Sequence, residues 1–232
     1  MLGDSVHRLL RRFILDYKWI LLAGAVLFLP SLALLAIYPG AQANACGITG
    51  LCGSASTPWG AISSLFLYDG WTNVLFFIGS IVLFFELSLA LPNKFIKKRV
   101  VFATISMFAI GIGVNVLQIV FVHGILYYGP SGVLYAFFGL IFGFAILDTL
   151  ESPFRVKLHG ILDLKSRQAL SHFVVNVIIL LMISGWIYID TGGFLSKAPN
   201  VDYAAHGMAF LGGMIVTLVF GFSTRHLLKK SI

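Results

Sequence analysis

The chain has 232 residues, 59% of them hydrophobic and 11% charged. Soluble domains carry about 25% charged residues, so a water-covered surface is excluded and a membrane protein is expected. The net charge of +7 does not mark a nucleic-acid binder, because the basic residues stand in clusters between long apolar runs.

A helix of about 20 apolar residues crosses the hydrocarbon core. The alternating ~10-residue strands of a membrane barrel are absent, which leaves helices. Six spans are expected: Trp19–Tyr38, Trp71–Pro92, Val100–Leu126, Ser131–Leu147, Phe173–Tyr188 and Tyr203–Phe222. They make one all-α, six-transmembrane-helix domain over residues 1–232. Residues 1–18 precede the first span and carry Arg8, Arg11, Arg12 and Lys18. A signal peptide would begin in the same way, but its apolar region is about 7–15 residues, so a retained helix is expected. The loop Pro39–Ser63 holds the two cysteines, Cys46 and Cys52. An oxidising face would permit a disulfide there; two unpaired loop thiols are the other reading. No histidine is near them in sequence, which argues against zinc. Pro58-Trp59 closes the loop, and tryptophan favours the membrane interface.

Lys94, Lys97, Lys98 and Arg99 separate the second and third spans. Arg155, Lys157, Lys165 and Arg167 lie in the polar segment 151–172, expected to be partly helical, before the fifth. The next loop, Thr191–Val201, is rich in turn formers. Arg225, Lys229 and Lys230 follow the sixth span. With six spans, every basic residue except Lys197 falls on one side. The positive-inside rule makes that side, and both termini, cytoplasmic.

The chemistry-bearing stretch is Gly129-Pro130-Ser131-Gly132, at the outer end of the fourth span. A helix start leaves backbone N–H groups unpaired and carries a partial positive charge, both favourable to an anion. Glycine permits close approach; Pro130 suits the turn but donates no N–H. A serine hydroxyl needs a base to act as nucleophile. His7, His159, His172 and His226 belong to the cytoplasmic side, which leaves His123 and His206. His206 lies one turn into the sixth span, among Ala205, Gly207, Ala209, Gly212 and Gly213. The fourth span offers Gly132, Ala136, Gly139 and Gly143. Small-residue faces of this kind let membrane helices pack closely. An ionisable side chain within a span is a functional-site candidate. Taken singly, the serine could be a helix N-cap and the histidine a packing residue.

The segment Gly129–Gly139, with Ala205-His206-x-x-Ala-x-x-x-Gly213 in the sixth span, resembles the rhomboid intramembrane serine proteases. That family opens its fourth helix with Gly-x-Ser-Gly and carries Ala-His-x-x-Gly-x-x-x-Gly in its sixth. The resemblance extends over the six-helix core, including Pro58-Trp59 and Phe66-Leu67. It implies a serine endopeptidase that cuts transmembrane segments of protein substrates in the lipid bilayer, without cofactor or metal. Ser131 would be the nucleophile and His206 the general base and then acid. Tyr135 would pack against the His206 ring, with Gly129 and Gly132 supporting the turn. The implied setting is the cell membrane, with several passes and the site open to the outer face.

The second helix departs from the family pattern His-x-x-x-His-x-x-x-Asn. Residues Phe66–Phe77 contain no histidine. One register puts Phe77 at the family asparagine; another, better matched by Glu86, puts Asp69 and Asn73 on the last pair. In both, Asn73 is the surviving amide donor for an oxyanion, together with the Ser131 backbone N–H. His123 could substitute, or be an interfacial histidine. Asp202 could orient His206, or face water. The altered motif leaves a rhomboid-like pseudoprotease that binds membrane helices as the alternative. A transporter would show paired inverted repeats, and none is evident.

Overall fold

The computed structural model describes residues 2–37, 52, 58–66, 71–88, 93–121, 130–159, 164–190 and 203–229. Among them every regular element is helical. In chain order these are α1 (Leu2–Ile37), α2 (Gly60–Ser63), a 3-10 turn (Ser64–Phe66), α3 (Trp71–Ser88), α4 (Asn93–Phe121), α5 (Ser131–His159), α6 (Leu164–Asp190) and α7 (Tyr203–Lys229).

Among the described residues, five helices are long and apolar enough to cross a membrane: α1 at Phe13–Pro30, α4 at Phe95–Phe121, α5 at Ser131–Leu150, α6 at Leu170–Tyr188 and α7 at Ala204–Gly221. The chain is a multi-pass membrane protein, and its described regular structure is all helical. The expected second span, Trp71–Pro92, coincides over its described part with α3, an apolar helix too short to count among these five: its 18 residues extend only about 27 Å at the α-helical rise, against a hydrocarbon core of about 30 Å.

The helices overrun the apolar segments at their polar ends. α1 starts at Leu2 and contains Pro30, a residue that membrane helices tolerate. α4 starts at Asn93 and takes in the basic cluster Lys94–Arg99. Lysine and arginine are good helix formers, so charge ends the membrane span without ending the helix. α5 likewise runs on to His159, and α6 begins at Leu164 within the polar segment.

The chain divides into two compact units, Met1–Ile81 with Leu91–Leu134, and Val82–Ala90 with Tyr135–Ile232. In the first, α1 packs on α4 and on the 3-10 turn, and α2 packs on α4. Gly24 permits the contact between α1 and α3, since a Cβ there would overlap the Phe77 ring. Phe28 and Phe77 lie tilted at 5.6 Å between ring centroids, a favourable aromatic geometry. Near the basic cluster, the exposed Lys97 ammonium stands 3.9 Å from the buried Asp16 carboxylate.

The second unit is built around α5. Of the Ser131–Leu150 span 72% is buried, against 17% for the α6 span. Phe84 of α3 packs on Phe137 and Phe144, with centroids at 5.5 and 6.0 Å. Glycines set the approach of α5 and α7. A Cβ on Gly139 would collide with the Phe210 carbonyl, and one on Gly213 with the Ala136 carbonyl. Thr217 Oγ1 donates to the carbonyls of Leu140 at 3.3 Å and of Gly213 at 3.0 Å. α6 presents Val174, Ile178, Leu181 and Met182 outward, as a lipid-facing helix does.

Candidate functional site

The serine side belongs to the first unit. Ser131 is the first residue of α5, and the Leu134 N–H donates to the Pro130 carbonyl at 3.1 Å. The helical ladder therefore begins at Leu134. The backbone N–H groups of Ser131, Gly132 and Val133 precede it and have no carbonyl one turn back within the helix. No acidic side chain occupies this first turn, so nothing on the helix itself neutralises the positive end of its dipole. Ser131 is half-buried and Gly132 buried.

Two residues of α4 meet this turn. A Cβ on Gly111 would stand 2.6 Å from Val133 Cγ2 and 2.9 Å from the Val133 backbone nitrogen. A Cβ on Gly132 would stand 3.7 Å from Asn115 Oδ1 and 3.8 Å from the Gly111 Cα. The close approach at Gly111 requires glycine, whereas the space beside Gly132 is ordinary contact. Asn73 lies in the first turn of α3 and is half-buried.

The histidine side belongs to the second unit. The Tyr135 and His206 rings stack, with centroids 4.1 Å apart and planes 12° from parallel. Tyr135 is buried and His206 half-buried. Ala205, Ala209 and Gly213 are buried along one side of α7. They recur every four residues, the spacing of one helical face. Gly207 is exposed, and a Cβ there meets nothing within 4 Å. It therefore lies off the packing face that the small-residue pattern assigns to it, because two positions along a helix turn a side chain through about 200°.

Cys52 is buried and disulfide-bonded. Cys46, His123, Gly129, Asp202 and the 191–201 loop lie outside the described residues.

Sequence reasoning passed over Gly111 and Asn115. The available signal was an amide in the middle of an apolar run, in Gly111-Ile-Gly-Val-Asn115. A polar group at that depth must find a partner. No family model, curated protein or solved structure matches the chain.

Proposed function

We propose that the protein is a rhomboid-type intramembrane serine endopeptidase with six spans, α3 being the second, and both termini in the cytoplasm of a cell membrane. Its substrates are transmembrane segments of other membrane proteins. The observation that carries this reading is the stack of Tyr135 on His206, because Tyr135 follows Ser131 by one turn of α5. Support also comes from the N–H groups of that first turn, which have no carbonyl one turn back within the helix, and from the glycine packing of α5 against α7.

In the proposed reaction Ser131 Oγ attacks the scissile carbonyl carbon while His206 takes its proton. The Ser131 backbone N–H and Asn73 hold the oxygen that gains negative charge. Loss of one such donor costs about 10²–10³ in rate. His206 then gives the proton to the leaving amine, and water hydrolyses the acyl-enzyme by the reverse proton route. A substrate helix must unwind to be cut, because helical backbone hides its carbonyls.

Active-site labelling with a fluorophosphonate tests this. Labelling of the full chain in bilayers that vanishes in Ser131→Ala is expected. The second-helix stretch Phe66–Phe77, lacking histidine, favours a second reading, a pseudoprotease that binds membrane helices. Absence of both labelling and Ser131-dependent cleavage of transmembrane substrates establishes that one instead.

A further inference from the structure

Asn115 sits on a membrane-spanning helix yet is 8% exposed. Burying an amide without partners is costly. Its Nδ2 donates to the Ala61 carbonyl at 3.1 Å and to Ser64 Oγ at 3.4 Å. Ala61 belongs to α2, a helix of four residues, and the last carbonyls of a helix have no partner within it. The Ser64 N–H returns to the Gly60 carbonyl, and Asn115 takes the carbonyl that follows. Ala61 and Ser64 are themselves buried.

The same side chain faces the start of α5. Its Oδ1 lies against Gly132, and Gly111, one turn earlier on α4, receives the Val133 backbone. Residues four apart share a helix face. Gly111 and Asn115 thus form a seat for the turn that carries Ser131, and the two amide hydrogen bonds fix one wall of it to the Ala61–Ser64 segment.

We infer that Asn115 is a positioning residue for Ser131. Holding the Ala61–Ser64 segment against α4 keeps the first turn of α5 in one orientation, and so aims the Ser131 hydroxyl and the neighbouring N–H groups. The catalytic consequence rests on the reading of Ser131 as nucleophile; the seat itself does not. A side chain that only satisfied the α2 carbonyl would lower stability when removed, and leave each folded molecule as reactive as before.

Two measurements on the full chain in bilayers separate these roles. The first is the rate of fluorophosphonate labelling per folded molecule in wild type, Asn115→Ala and Asn115→Leu, the last keeping the approximate volume and losing the donor. Misplacement of a reacting group by about 1 Å costs up to about 10²-fold, and a fall of about 10-fold or more is expected in both variants. The second needs no catalysis. A small water-soluble alkylating reagent is applied to Ser131→Cys with and without Asn115→Ala, the parent protein giving the background. A rate change of about threefold or more is expected, that being the reach of one hydrogen bond. If the Asn115 variants do not fold, Ser64→Ala removes only the longer hydrogen bond and is expected to slow labelling about twofold to threefold. Rates per folded molecule equal to wild type in these variants overturn the inference. If wild type itself is not labelled, the nucleophile reading falls, and alkylation alone decides whether Asn115 sets the orientation of this turn.

Discussion

At the scale of single residues, a serine hydroxyl reacts only where something accepts its proton. The proposed reading therefore stands on two side chains. Ser131→Ala and His206→Ala are each expected to lower cleavage of a transmembrane substrate by at least about 10³-fold, measured as kcat/KM, since the members of such a unit fail together. Asn73→Ala is expected to lower kcat by about 10²–10³ with KM little changed, because an oxyanion donor acts only once charge has developed. The Tyr135–His206 stack has a smaller effect. An aromatic pair contributes about 0.5–1.5 kcal/mol, so Tyr135→Ala is expected to lower kcat about threefold to tenfold and Tyr135→Phe by less. Ser131 and His206 are legible in sequence as a hydroxyl opening one apolar run and an ionisable ring inside another, whereas Tyr135 is marked only by the rhomboid resemblance. Asn115 is not so marked, because its value lies in carbonyls and hydroxyls more than 50 residues away.

At the scale of elements, glycine decides how closely helices approach. Gly139→Val and Gly213→Val each push a side chain into a main-chain carbonyl of the facing helix. Overpacking of this kind costs about 1–3 kcal/mol, and a lowered unfolding midpoint in detergent is expected for both. Gly207→Ala fills open space and is expected to leave the midpoint unchanged. Thr217→Val removes hydrogen bonds to Leu140 and Gly213 and is expected to cost about 0.6–1.7 kcal/mol in the same assay. The apolar runs locate the helices well because hydrocarbon demands internal hydrogen bonding of the backbone. The helix ends are less legible. Lys94–Arg99 reads as a boundary in a hydropathy pattern, yet charged residues keep helical backbone outside the bilayer, so α4 starts at Asn93.

At the scale of the whole molecule, the pattern of basic residues predicts the topology. Reporters fused to either terminus are expected to register the cytoplasm. Thiol reagents applied outside are expected to leave Cys52 unmodified until the protein is reduced, as its disulfide requires. A reporter on one terminus alone registering the outside would refute the even number of spans, and with it the placement of Ser131 at the outer face.

The amino-acid sequence alone determined that this chain is a helical membrane protein and roughly where its apolar helices lie. Those properties follow from local runs of residues in contact with lipid or water. Only the tertiary structure decided that Tyr135 lies flat on His206, that Gly139 and Gly213 rather than Gly207 set the approach of α5 and α7, and that Asn115 bonds to Ala61 and Ser64 beside Gly132. Each of these is a meeting of side chains far apart in sequence, fixed by the rotation of one helix against another. A few tens of degrees of rotation change such contacts without altering any hydropathy pattern.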